Sequence, residues 1–491
     1  MPASVAPRFD PARRRAVTIA LLLVTALASF ESTVVSTAMP TIIGELRGLP
    51  LYSWVFSIYL LASTVTMPIY GRLADVYGRR RVLMGATLVF LAGAVVCALA
   101  RSMPQLIVAR GLQGLGAGGL IPIALTVSGD LYSLEERARV QAFFSGVWGF
   151  ASLAGPLLGA FLTVTFGWRS IFTINVPLGL VALYLVATRM IESRKPGSDP
   201  LDVAGALTLA LGIGALLFAV LQRAGSGAFG TGARLFLGAL GLALLGLFAR
   251  LQARRKYPLI PPELFRHAET AAPYLGGILL GTTIYGVDTF VPLFVQGARG
   301  GTAGAAGAVI TPLVLFWSLS AAAAARVIVR FGFRKTARAG ALLILAGFVG
   351  LLVAALCDAP VAAISAACGL IGAGLGPSSL SQVLAIQNVV EERRRGVATS
   401  LVPFFRTVGG SLGVGALGGI LATGLTRRMG AAAESAGSIL TDGHVPREAR
   451  LALEQSLLPV FAVLLALALV NLAVTSRFPD RSAVPRTPRP E

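Results

Sequence analysis

Charge is what this chain has least of. Only 13% of its 491 residues are Asp, Glu, Lys or Arg, and 55% are hydrophobic. A soluble chain of this length would carry roughly twice that charge. No stretch is long and polar enough to form a separate soluble domain. Lysine is nearly missing, with Lys195, Lys256 and Lys335 alone. The formal net charge of +20 therefore rests on arginine. Those arginines fall in connections between apolar runs, which argues against a nucleic-acid partner and for a topology device in contact with anionic lipid. Cysteine is scarce too. Cys97, Cys357 and Cys368 all lie in apolar stretches, an odd and scattered set that builds no disulfide framework and reads as small apolar packing. A Gly-x-x-x-x-Gly-Lys-Ser/Thr phosphate loop is absent from the sequence. An ATP-driven pump would need one, so an ion gradient is the expected energy source, with no cofactor and no metal. The first apolar run lacks the form of a cleavable signal and is expected to stay as an anchor.

What is present is a series of apolar runs of about 20 residues, the length that crosses a bilayer as helix. The expected fold is an all-α polytopic membrane protein with fourteen spans. An even count places both termini on one side. If tails and alternate loops are cytoplasmic, about 30 of the Lys and Arg residues lie inside and about 10 outside, with Arg110 and Arg406 within spans. The expected organisation is a cytoplasmic tail (1–15), a six-helix bundle (16–190) and a linker with two additional spans (191–270). A second six-helix bundle (271–477) follows, with an external loop at 425–454, and then a disordered tail (478–491).

Residues 71–81 read Gly-Arg-Leu-Ala-Asp-Val-Tyr-Gly-Arg-Arg-Arg. A basic, glycine-punctuated turn between two spans sits at the cytoplasmic face. The lone acid, Asp75, suggests an ion-pair latch. Residues 325–335 repeat this turn at an offset of 254, with Gly332 for Gly78 and Arg334 for Arg80, but Val329 stands where Asp75 would be. The halves therefore read as a duplicated unit with a degenerate second copy, which places cargo near the midplane between the copies.

Four ionisable residues lie within spans: Glu31, Arg110, Asp288 and Arg406. Burial favours a protonated carboxyl, whereas arginine stays charged and needs a partner or water. Glu31 and Asp288 are the expected proton carriers, with Arg110 and Arg406 as counter-ions. Gly155-Pro156-Leu-Leu-Gly159 suggests a kinked, closely packed hinge. Gly114–Gly119 lies inside a span without a preceding strand and reads as helix packing. Among the many aromatics, any one reads first as lipid-facing. Phe30, Tyr285, Phe404 and Phe405 stand beside the charged positions and are candidates, with Gln113 and Trp148, to line a substrate cavity.

These segments carry a resemblance. Residues 71–81 resemble the signature loop of the major facilitator superfamily, and Leu106-Ile-Val-Ala-Arg110-Gly-Leu-Gln113-Gly114 resembles its fourth-span motif. Gly155–Gly159 resembles its antiporter motif. Glu31–Pro40, Trp168–Pro177 and Phe404–Gly410 resemble the fourteen-span drug/proton antiporters of the EmrB/QacA type. The resemblance implies the major facilitator fold, with Asp75 docked on the helix start near Gly396–Ala398 and Arg79 paired with Asp130. Gly71, Asp75, Gly78, Arg79 and Asp130 would form the latch. The first-span acid is usually Asp in that family and is Glu31 here. The implied activity is proton-coupled efflux of amphipathic or cationic molecules across a bacterial inner membrane, by a monomer, with a periplasmic adaptor as a further candidate partner. Two alternatives stay open: a lipid or glycolipid exporter, and a non-transporting scaffold or sensor.

Overall fold

A computed structural model of the chain describes residues 10–46, 51–192, 202–225, 231–301, 303–429 and 447–480. The regular structure among the described residues is all helical, with no strand. Nine helices precede residue 255: α1 (Pro11–Leu46), α2 (Tyr52–Tyr77), α3 (Arg79–Leu99), α4 (Met103–Leu131), α5 (Leu134–Phe166), the short α6 (Ser170–Thr173), α7 (Asn175–Arg189), α8 (Val203–Gly225) and α9 (Thr231–Arg254). Seven follow: the short α10 (Glu263–Arg266), α11 (Ala268–Leu293), α12 (Ala303–Phe331), α13 (Phe333–Leu356), α14 (Val361–Val389), α15 (Arg395–Met429) and α16 (Arg447–Thr475). Thirteen spans among the described residues are long and apolar enough to cross a membrane. The remaining long helix, α5, contributes the apolar stretch Leu157–Phe166.

Local chemistry sets the boundaries. Ser102 caps α4 by accepting from the Gln105 amide, and Ser133 and Glu136 form a reciprocal capping box on α5. Gly78 and Gly332 take φ of +96° and +86°, a region that side chains disfavour, so each reverses the chain between two helices in a single residue.

Contacts divide the chain into two units. Unit 1 comprises the described residues of Met1–His267 and Ile386–Phe404; unit 2 comprises those of Ala268–Ala385 and Phe405–Val484. This differs from the boundaries expected from the repeat in two ways. The additional pair α8 and α9 belongs to unit 1 rather than to a linker. Trp54 of α2 packs on Phe218 of α8 at 5.0 Å between ring centres. Asp202 accepts from the Gly205 amide and from Gln252 Nε2 of α9, at 2.9 and 2.8 Å. The start of α15 also belongs to unit 1, because its polar contacts run to α2, α3 and α4.

Three smaller expectations change. The 1–15 tail gives way to helix at Pro11. Residues 425–429 and 447–454 are helical rather than loop, and Arg428 Nε donates to Gln455 Oε1 at 3.1 Å, joining α15 to α16. The rest of that expected loop lies outside the described residues. Phe478, placed in a disordered tail by composition, is 1% exposed and packs with Ala272, Leu279, Ala337 and Val474. Residues 481–491 lie outside the described set.

Candidate functional site

Glu31 sits midway along α1 and faces the interior of unit 1, 2% exposed. Its carboxylate pairs with Arg110 of α4 through Oε1. Oε2 accepts from Asn175 Nδ2 of α7 at 3.0 Å. Arg110 also donates to Gln113 Oε1 at 2.8 Å and to the Val55 carbonyl at 3.2 Å, and its guanidinium lies 4.2 Å from the Tyr59 ring centre. The Cys97 thiol donates to the same Gln113 oxygen at 3.5 Å. A buried pair survives only when its remaining lone pairs and protons are satisfied. Here α2, α3, α4 and α7 supply those partners around α1.

The spacing of this set follows from helix geometry. Arg110 and Gln113 are three residues apart on α4 and so share a face. Gln113 was expected in an open cavity but is fully buried, because it completes the coordination of Arg110. Asn175 lies in a quoted family motif, yet nothing in the sequence pairs it with a residue 144 positions away.

A second charged cluster forms where α2 meets α3. Asp75 is 6% exposed and accepts from the backbone amides of Gly396 and Val397, at 3.0 and 2.9 Å, in the first turn of α15. Those amides have no partner inside their own helix, and the helix dipole favours negative charge there. Arg79, four residues on, lies between two acids: Nη2 to Asp75 at 3.0 Å and Nε to Asp130 of α4 at 3.0 Å. Arg395 reaches the other Asp130 oxygen at 2.7 Å. The helices approach closely at Gly71, where a Cβ would overlap the Ser400 side chain and stand 2.9 Å from the Gly396 carbonyl. Glu192, just past α7, was not anticipated. It accepts from the amides of Arg79 and Arg80 at 2.9 and 3.1 Å and so caps α3 from a distance.

The other expected positions disperse. Gly155 and Gly159 of α5 are buried against α1, where a Cβ would meet Thr33 and Thr37; Pro156 lies between them in the helix. Thr33 donates to the Ala151 carbonyl at 3.2 Å. Phe30 packs edge-on against Phe150 at 6.0 Å. Trp148 is 41% exposed. Phe404, expected beside a cavity, is 3% exposed and belongs to the packed interior of unit 1. In unit 2, Phe405 stacks near Tyr274 at 5.5 Å. Asp288 and Arg406 are not brought together: neither has an ion-pair partner among the described residues.

Stacked apolar helices that bury compensated ion pairs define a multi-pass helical membrane protein. Residues 21–414 match the family model described as Major Facilitator Superfamily. The chain belongs to the major facilitator superfamily. It is 32% identical over 428 residues to the multidrug transporter protein MdtP of Bacillus subtilis, covering 87% of this chain and 76% of that one. It is 31% identical over 417 residues to multidrug resistance protein 3 of the same organism, covering 84% and 80%. An uncharacterized MFS-type transporter of Mycobacterium tuberculosis, Rv1877, is 33% identical, and the match spans 90% of this chain and 63% of that one. Among solved structures, the proton:xylose symporter XylE superposes with a TM-score of 0.67 at 16% identity, covering 97% and 98% of the two chains, a likeness of fold alone. The chain is thus a transporter rather than an enzyme.

Proposed function

We propose that the protein is a proton-coupled exporter of amphipathic or cationic small molecules, working by alternating access in a bacterial inner membrane. In this reading α5 also crosses the bilayer, giving fourteen spans with both termini cytoplasmic. The arginine-rich cytoplasmic turns support that orientation, and the multidrug relatives support the cargo.

The observation that carries the coupling is the sealed Glu31 cluster. Glu31 is an acid inside a span whose charge is balanced by a single arginine. Protonation would remove half of the ion pair and release Arg110 to its carbonyl and Gln113 partners, changing how α1 is held against α4 and α7. One proton moving through 100 mV supplies about 2.3 kcal/mol, enough for roughly a 50-fold gradient of a neutral solute. The Asp75–Arg79–Asp130–Arg395 cluster is the latch, which must open when α15 leaves α2.

The test is ethidium transport in everted vesicles under an imposed pH gradient. Glu31→Gln is expected to abolish gradient-driven movement while the amount of inserted protein is unchanged. Undiminished transport by that variant overturns Glu31 as carrier. Gradient-independent movement of a labelled lipid in place of ethidium would instead identify a lipid exporter, and movement of neither would identify a scaffold.

A further inference from the structure

Asp288 and Arg406, both in spans of unit 2, have no hydrogen-bond or ion-pair partner among the described residues. Asp288 is exposed on α11, and no described residue hydrogen bonds or ion-pairs with it. Arg406 is half-buried on α15, and its Nε is buried with no acceptor. The titratable neighbour of Arg406 is the Tyr285 hydroxyl, not Asp288. An arginine cannot shed its charge, so an uncompensated one within a span implies a counter-charge brought from elsewhere.

The packing of α11 on α15 fixes where these groups stand. The backbone of Gly281 lies directly against the Arg406 carbonyl, and Gly410 lies against the Tyr285 ring, in each case with no room for a Cβ. Arg406 is therefore level with Gly281. Asp288 is seven residues farther along α11, about 10 Å up the helix axis at 1.5 Å per residue. Tyr285 lies between them, three residues from Asp288 and on the same face.

The face is polar. Most of α11 is buried, and its exposed positions after Leu275 are Tyr285, Asp288 and Thr289. Such a stripe within a span meets water rather than acyl chains.

We propose that Asp288 and Arg406 are the two poles of a recognition surface for zwitterionic amphipaths. A ligand ammonium or delocalised cation sits at Asp288 beside the Tyr285 ring, where charge pairing and cation–π attraction act together. A ligand carboxylate sits on the Arg406 guanidinium, which offers paired donors to it. The aromatic body of the ligand spans the distance between them. The assignment rests on the exporter reading and names the class of cargo within it.

Two dyes differing by one methyl group provide the test. Tetramethylrhodamine carries a delocalised cation and a free carboxylate; its methyl ester keeps the cation and masks the acid. Binding is measured by fluorescence anisotropy on the purified full-length protein in detergent, with no proton gradient. The wild type is expected to bind the zwitterion about tenfold more tightly than the ester, the effect of one charge-assisted contact. Arg406→Gln should erase that preference while keeping the ester affinity, which also reports an intact fold, and Arg406→Lys should restore part of it. Asp288→Asn should weaken both dyes equally and preserve their ratio, with recovery in Asp288→Glu. A ratio untouched by Arg406→Gln, a ratio changed by Asp288→Asn, or a wild type that binds neither dye overturns the proposal. Because no gradient is applied, loss of coupling in the vesicle assay and loss of charge selectivity here are separate results.

Discussion

The turn between α2 and α3 and the turn between α12 and α13 share a backbone and differ in chemistry. Gly78 and Gly332 have the same left-handed geometry. Arg80 donates to the Ala187 carbonyl at the end of α7. At the same repeat position, Arg334 Nε donates to the Phe478 carbonyl beyond α16, at 2.8 Å. An acid stands beside each contact: Glu192 on the amides of the first turn and Asp480 at 3.7 Å from Arg334 in the second. So the layer that ties each turn to the last helix of its own bundle is kept in both copies. The other layer is not. Arg79 becomes Phe333, each 1% exposed, and Asp75 becomes Val329. One copy fills that space with an ion network reaching α15, the other with an apolar side chain. The shared layer ties the turn to its bundle, and the unshared layer carries the proposed latch. A duplicated fold can lose its second ion network while keeping its second glycine turn.

The largest expected effect removes the unshared layer. Asp75→Asn leaves Arg79 short of a counter-charge in a buried site, a loss of about 3 kcal/mol when one partner of such a pair is deleted. Ethidium transport in vesicles should fall at least tenfold, as the latch reading requires, whereas Val329→Ala should leave transport near wild type. Equal losses in the two variants would break the comparison. A middle-sized effect probes the shared backbone. Gly78→Ala and Gly332→Ala should each lower thermal stability in detergent by about 1–2 kcal/mol, since each forces a side chain into the left-handed region. Gly78→Ala should lose the more, because its Cβ would also meet the Glu192 carboxylate. The reverse order would count against the capping role of Glu192.

The smallest effect lies at the opposite end of unit 1. Glu45 accepts from Trp168 Nε1 at 2.7 Å and from Arg169 Nη1 at 2.6 Å, while Arg169 Nη2 donates to the Ala100 carbonyl at 3.2 Å. At the repeat offset of 254, Arg299 replaces Glu45 and donates directly to Ala354, the counterpart of Ala100, at 3.4 Å. The hydrogen bond from Arg169, then that from Trp168, hold the Glu45 carboxyl below its ordinary 4.5. A lowered folded value means that the stability it contributes is present above pH 4.5 and is lost as pH falls through the folded value. The difference in melting temperature between wild type and Glu45→Gln should therefore be steady at neutral pH and close under acid. A gap that widens on acidification would reject this account.

The helical scaffold, the repeat and the signature turn were readable because each is local. Apolar runs set the spans, glycine sets the turn, and an offset of 254 exposes the duplication. The partners of the buried charges were not readable in the same way. Asn175 and Glu192 reach their targets from 144 and 113 residues away, and only tertiary packing brings them there. The placing of Asp75 and Asp130 came from family resemblance rather than from pattern. Mixed charge suggested a loop at 425–454, but helix ends beyond the apolar layer carry charge at little cost, so α15 and α16 extend into it. Phe478 was missed because a proline- and arginine-rich context outweighed one aromatic that fills a hole beside α11 and α13.

The enclosure of Glu31 has a kinetic consequence. With both carboxylate oxygens engaged by protein donors and the side chain buried, an arriving hydron reaches Glu31 from water only when α1 loosens from α4 or α7. In the proposed proton-coupled cycle such breathing, rather than diffusion of H⁺ to the site, would set the pace of loading, so turnover should follow the local opening rate of that bundle more closely than bulk acidity.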